Sequence, residues 1–467
     1  MSGSNAFDCI VVGGGVAGVS AAVAASDRGW RTALLERGRV LGGMARSFPD
    51  DRFGGEMDCG QHVLMACCTE YRGLLRRLGT EKLAPLQRRL DALVVDEQGR
   101  STRLREVRLP SPLHLLPAMS RMPWLSSADR AAAAYAVTRL NTVRDVSKLD
   151  GVSFADWLGV AARGPVRRAL WDLVCVATCN LPTAELSAAV GAFVAREGFL
   201  RSGAAAVGVP TVGLSRLLAP AVDMLARSGG RVLLDTAVDA VLIGDRSLVG
   251  GVRLTDGSEL RAPRVVVAGP APLLARVAPE VASHRSLARW QSLPTSPIVN
   301  LHLRFDRRVL DATFLAVWDS PLQWLFSRSR LQGEAGADET VVCSLSAASD
   351  LVALSGEAIL ERLLPHLHLA QPASRRATLL GWRVTRERDA TAALRPGTAA
   401  LRPGPRTPVT GLAIAGAWTD TGWPITMESA ARSGRIAVGH LASKSKVQPT
   451  PATPTATAVP LLMDVVS

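Results

Sequence analysis

Tyrosine, lysine and cysteine are scarce in this chain, and each shortage narrows what it can be. Two tyrosines in 467 residues and an aromatic fraction of 4% leave little for the stacking platforms on which nucleic-acid binders rely. Only four lysines (Lys82, Lys148, Lys444, Lys446) contribute to a net charge of +13, so the excess is arginine. Those arginines are dispersed rather than striped, which argues for compositional bias and against a nucleic-acid partner. They leave room for attraction to an anionic membrane surface.

The seven cysteines (Cys9, Cys59, Cys67, Cys68, Cys175, Cys179, Cys343) are odd in number and scattered, so a disulfide framework is not expected. Cys175 and Cys179 have no His, Asp or Glu set at metal-ligand spacing beside them and read as core thiols on one helix face, with no metal expected. No uncharged apolar run approaches the ~18 residues of a membrane span. The N-terminus lacks a basic region ahead of its first apolar run, so the expected location is cytoplasmic.

What the chain does have is glycine at informative places. Ile10-Val11-Val12 leads into Gly13-x-Gly15-x-x-Gly18, followed by the small-residue helix pattern Ser20, Ala21, Ala22, Ala24, Ala25. This is strand, tight turn, helix. Gly13 permits the turn, Gly15 lets the N–H groups of Val16 and Ala17 approach a pyrophosphate, and Gly18 allows close helix–strand packing. A second apolar strand, Arg31–Leu35, ends in Glu36, 18 residues after Gly18, close to where a ribose-binding acid is expected. An acid there favours FAD or NAD over NADP, with Arg37 alongside.

A further glycine pair, Gly42-Gly43, follows, then Met44 and Arg46. Downstream come Asp58-Cys59-Gly60-Gln61-His62 and Leu74-Leu75-Arg76-Arg77-Leu78-Gly79. Residues 90–107 read as paired strands. From Leu109 to Phe199 the pattern is helical, with starts at Ser126 and Ser153. Its entry, Leu113-His114-Leu115-Leu116-Pro117, is apolar and proline-broken, and it can pack as a lid or meet a lipid-like substrate. Strands are expected at Val238–Ile243, Leu248–Leu254, Leu260–Gly269, Ser296–Phe305, Phe314–Trp318, Trp324–Arg328, Thr340–Ser346 and Ala377–Val384, with a helix at Gly356–Leu364. The closing stretch runs from an apolar strand through Gly416-Ala417-Trp418-Thr419-Asp420 to a helix beginning near Thr426-Met427-Glu428. The free N–H groups of such a helix suit an electron-rich edge of a bound ligand.

The Gly42-Gly43 pair resembles the second glycine motif of the amine-oxidase and phytoene-desaturase flavoproteins, with Met44 in place of their arginine. The 58–62 and 74–79 stretches look like bacterial hydroxysqualene dehydroxylases, and the resemblance extends over residues 8–442. It implies an α/β fold: a Rossmann-type FAD-binding domain of the GR2-like kind with an inserted α+β substrate domain. The FAD-binding parts would be residues 1–89, 201–292 and 408–442. The substrate domain would have a helical part at 90–200 and a sheet part at 293–407, and a disordered tail would occupy 443–467.

Noncovalent FAD would be bound by Gly13, Gly15, Val16, Ala17, Gly18, Glu36, Arg37, Gly43, Met44, Gln61, Val238, Gly416, Thr426 and Met427. Where most relatives carry an aspartate after the strand's glycine, this chain has Ala417. The implied reaction replaces the hydroxyl of hydroxysqualene with hydride, giving squalene for hopanoid synthesis. It needs a hydride donor, an acid and a dry tunnel. His62, Glu428 and Asp420 are the acid candidates, because they are the ionisable groups in flavin-facing motifs. Trp318 and Trp324 either line the tunnel or pack the core. No residue pattern designates an electron donor. Two alternatives remain at this point: a carotenoid-type polyprenyl desaturase, and a non-catalytic prenyl-binding escort protein. Peripheral contact with the inner face of the cell membrane is a further expectation.

Overall fold

The computed structural model describes residues 6–443 apart from 292 and 335. The expected C-terminal tail therefore lies outside the described residues beyond Ser443. Five short strands form a parallel sheet in the order Leu412–Ala415, Val265–Ala268, Cys9–Val12, Thr32–Leu35 and Arg231–Leu233. All residues of its first four strands in that order, Leu412–Ala415 to Thr32–Leu35, are buried. This is why they read as unbroken apolar runs rather than alternating ones.

The first helix, Val16–Ser26, and the last, Met427–Ser443, pack on each other against this sheet. Their approach is very close. A Cβ on Gly434 would lie 2.3 Å from the Ala17 carbonyl oxygen, and the Ser20 hydroxyl donates to the Ala431 carbonyl at 2.6 Å. Residues 411 positions apart are thereby joined.

Val238–Gly244, Leu248–Leu254 and Glu259–Arg261 form the expected antiparallel meander. A seven-stranded sheet roofs the other side, in the order Leu379–Ala392, Thr295–Phe305, Glu339–Ser346, Trp324–Ser327, Phe314–Val317, Asp91–Val95 and Ser101–Arg105. Asp91–Val95 joins it by parallel pairing with Phe314–Val317, so strands on both sides of the helical insertion share one sheet.

Two elements outrun their sequence signals. The helix expected to end at Leu364, before Pro365, continues to Ala370 because Leu363, Leu367 and Ala370 are all buried on one side. The strand expected to end at Val384 runs to Ala392; its charged stretch Arg386–Asp389 hides the pattern, but Val299 and Ile298 pair with Arg386 and Glu387 and, past a bulge, Ser296 and Thr295 pair with Thr391 and Ala392. Helix starts at Ser126 and Ser153 are as expected, each serine capping through an aspartate three residues on. Cys175 and Cys179 are buried on one short helix, and among the described residues no His/Cys/Asp/Glu group could hold a metal.

Candidate functional site

The parallel strands end in register, Val12 beside Val267 and Val267 beside Ile414, so Gly13, Gly269 and Gly416 emerge along one edge. That carboxyl edge is where open α/β sheets bind ligands. Two of the three motif glycines are demanded by the chain itself. A Cβ on Gly13, at φ +107°, would sit 2.2 Å from the Ala268 carbonyl oxygen, and one on Gly18 would sit 1.8 Å from that of Gly13. Gly15 differs: a Cβ there would meet nothing closer than Gly43 Cα at 3.8 Å. The space beside it is open. Gly15 is also the N-cap of the first helix and offers no side chain to the N–H groups of that helix's first turn. An uncapped helix start with room in front of it fits a dinucleotide pyrophosphate.

The second glycine pair lies against this turn, with Gly42 N–H donating to the Gly14 carbonyl at 2.9 Å. Met44 is exposed and brings no charge. Arg46 instead turns back and donates to the Gly43 carbonyl at 2.8 Å, placing a cation on the motif from two residues further on. The Glu36 carboxylate accepts from Gly14 N–H at 2.7 Å and Gly38 N–H at 2.8 Å. Each oxygen keeps a lone pair for a ligand hydroxyl. Arg37 points outward, exposed. Val238 is buried, and its carbonyl accepts from Arg276 at 2.8 Å.

At the far end of the edge, Gly416 N–H donates to the Ser433 hydroxyl at 2.9 Å. Thr426 and Met427 are half-buried at the start of the last helix. The chain thus brings the Gly13–Gly18 turn, Glu36, Gly42–Gly43 and the Gly416–Met427 turn to a common border.

The loop 58–62 is fixed by side chains that sequence reasoning did not single out. Asp58 and Arg328 form an ion pair at 2.5 Å, with side chains only 6% and 8% exposed. Asp58 also accepts from Ser47 and from Leu214 N–H. The Cys59 carbonyl accepts from Thr385 at 2.6 Å and from Asn300 at 3.3 Å. Gly60 leaves the notch that Asn300 fills, since a Cβ there would lie 2.5 Å from its amide nitrogen. Behind them His302, 1% exposed, has its pKa pushed down to about 3 by burial and by the charges of Arg328 and Arg383.

The three acid candidates fare differently. His62 is half-buried, and its Nδ1 lies 3.1 Å from the Gly60 carbonyl. A carbonyl can only accept, so Nδ1 carries the hydrogen and Nε2 is left open. Burial lowers this imidazole's pKa below its ordinary value. Gln61 donates to the His62 carbonyl at 3.2 Å.

Glu428 departs from the expectation. Its two oxygens accept from the N–H groups of Glu70 (3.0 Å) and Tyr71 (2.8 Å), and it pairs with Arg432 at 2.7 Å. It is the missing cap of the helix Thr69–Leu78, whose own N-cap, Cys68, makes no side-chain bond. Asp420 is exposed and accepts from Gly422 N–H at 3.1 Å, the work of a turn residue. Trp318 stacks on Trp124 at 4.7 Å, away from solvent. Trp324 joins Met65, Leu115, Phe199 and Phe314 around the buried Leu90, Ala92 and Ala205.

Known proteins resemble this chain in sequence and in fold. The sequence profile of the family described as flavin containing amine oxidoreductase matches residues 16–442. A hydroxysqualene dehydroxylase of Rhodopseudomonas palustris is 31% identical across 91% of this chain and 96% of its own. One from Zymomonas mobilis is 25% identical across 93% and 99%. Among solved structures, putrescine oxidase bound to putrescine superposes with a TM-score of 0.70, covering 94% of this chain and 99% of that one at 16% identity, a likeness of fold.

Proposed function

The chain belongs to the flavin containing amine oxidoreductase family, and from that premise we propose that it removes the hydroxyl of hydroxysqualene to give squalene. It is an FAD-dependent oxidoreductase. The observation that carries the substrate assignment is the likeness to the Rhodopseudomonas palustris dehydroxylase along nearly the whole of both chains.

The glycine turn, the uncapped first helix and Glu36 would hold the pyrophosphate and ribose, and the Gly416–Met427 turn would meet the flavin end. Bound and reduced, FAD supplies the hydride that replaces the departing oxygen. The proton is the protein's task. Of the three acid candidates, Glu428 is taken up by two N–H groups and Arg432 and Asp420 lies exposed in a turn, whereas His62 keeps Nε2 open, and Nε2–H of its charged form would protonate the hydroxyl as the C–O bond breaks and water leaves. A general acid of this kind contributes ~10²–10⁴-fold in rate. Because burial lowers the His62 pKa, the charged form is gained as pH falls. The dehydroxylation rate should therefore rise toward acid.

The substrate is a lipid, and this chain has a matching exterior. Leu109, Leu113 and Leu116 are 42%, 49% and 49% exposed. Arg108 and Arg121 flank them, also exposed, and residues 107–124 contain no acid. Among the described residues no helix is long and apolar enough to cross a membrane. Peripheral docking on an anionic surface through this segment is the form of contact that remains.

Anaerobic incubation of FAD-loaded, dithionite-reduced protein with hydroxysqualene tests the reading. Squalene as product supports it. In a parallel incubation with oxidised FAD, reduction of the flavin with a product that lacks two hydrogens yet retains its hydroxyl would make the chain a desaturase, and no flavin uptake would make it an escort.

A further inference from the structure

Arg402 lies in the segment that returns the chain from the roof sheet to the last parallel strand, and its guanidinium is surrounded by one turn. Nε donates to the Trp418 carbonyl at 3.3 Å, Nη1 to that of Trp423, and Nη2 to those of Ala417 (2.8 Å) and Thr419 (2.6 Å). Nη2 also reaches the Ser429 hydroxyl at 3.1 Å, inside the first turn of the last helix. The grip is mutual: Asp420 N–H donates to the Pro403 carbonyl at 2.7 Å, and Ser429 donates to the Ala417 carbonyl at 2.9 Å. One side chain therefore ties together four carbonyls and a hydroxyl across residues 417–429.

The partners are all neutral. Among the described residues Arg402 makes no ion pair, and Ala417 contributes only its carbonyl. Desolvation pulls the Arg402 pKa down to about 10, with Asp420 the one anion that opposes it. Removing a cation from water without a carboxylate is costly. If fixing a turn were all that mattered, neutral donors would do it more cheaply. An unbalanced positive charge fits a place where negative charge arrives with a ligand or during reaction.

We propose that Arg402 is a positioning residue for the flavin end of the cofactor: it sets the 417–423 turn ahead of the last helix, and its charge favours the reduced, electron-rich form of the bound flavin. The inference rests on the placement of FAD along the carboxyl edge given above.

Full-length, FAD-loaded protein allows the two halves to be separated, by reading the Kd for FAD and the midpoint potential of the bound flavin in the wild type, Arg402→Lys and Arg402→Gln. Both variants should bind FAD at least tenfold more weakly, since neither replaces the five-donor fork. The potential should fall in Arg402→Gln and stay at the wild-type value in Arg402→Lys. A turn-fixing role alone would leave it unmoved in both. Asp420→Asn, which removes the opposing anion, should raise the potential and keeps the test decisive where Arg402→Gln does not fold. FAD bound at an unchanged potential in Arg402→Gln, or no rise in Asp420→Asn, overturns the proposal alone. Wild-type protein that takes up no FAD overturns the placement beneath it as well.

Discussion

Along the carboxyl edge of the parallel sheet, the groups offered to a ligand are mostly backbone N–H donors, framed by Gly13, Gly15, Gly18, Gly42 and Gly43. At the junction between loop 58–62 and the roof sheet the work falls to side chains: Asp58 on Arg328, Asn300 and Thr385 on the Cys59 carbonyl. The contrast teaches which substitutions each region bears. Met44 and Ala417 leave such a cradle its donors, because backbone N–H groups survive any side chain. It does not accept a Cβ where backbone already touches backbone. A side-chain junction behaves the other way, and removing one partner strands the rest.

The sharpest break should come from Gly18→Ala, whose methyl would lie 1.8 Å from the Gly13 carbonyl oxygen. No rotamer relieves that clash, and the expected result is protein without retained flavin and with a collapsed unfolding transition. Gly15→Ala sharpens the point, since the chain has room for the methyl. Its unfolding temperature without cofactor should stay near wild type while FAD affinity falls.

Next in size is Asp58→Ala, which leaves Arg328 buried without its carboxylate. Loss of ~3–5 kcal/mol is expected from denaturant unfolding. A loss below ~1 kcal/mol would show that the junction is not held as described. Glu36→Ala should weaken FAD by ~1.5–3 kcal/mol, the range for charged hydrogen bonds, measured by flavin titration of the apoprotein. Unchanged affinity would remove Glu36 from the ribose site.

The remaining effect is a slope. His302 has a folded pKa of about 3 against an ordinary value of 6.5, so the unfolded chain binds the proton first. Its contribution is fully present above the ordinary value and is lost as pH falls from there toward 3. His302→Asn should flatten that part of the stability–pH curve, and an unaltered curve would contradict the burial of a neutral ring.

How much of this the sequence disclosed follows the same division. The cradle was legible because glycine spacing and apolar strands are local signals, and so were the serine caps at 126 and 153. Pro365 and the charges of Arg386–Asp389 misled, since burial of Leu363 and Leu367 and pairing with Thr295–Ile298 override local propensity. The junction was not legible at all. Asn300 and Thr385 meet Cys59 from 241 and 326 residues away, and Glu428 finds its N–H partners 357 and 358 residues away. Nothing in the residues around Glu428 distinguishes a catalytic acid from the cap of a remote helix. Arg402 was missed for the same reason: in the sequence it is one arginine among many.

The central claim, that both ends of the chain grip FAD and present it to a polyprenyl alcohol beside His62, meets its most direct test in a stopped-flow single turnover. Reduced holoprotein mixed anaerobically with hydroxysqualene should recover its oxidised-flavin absorbance with one squalene formed per flavin, and His62→Ala should slow that recovery ~10²–10⁴-fold with FAD still bound. Flavin that stays reduced in the presence of hydroxysqualene, or a His62→Ala rate equal to wild type, would contradict it.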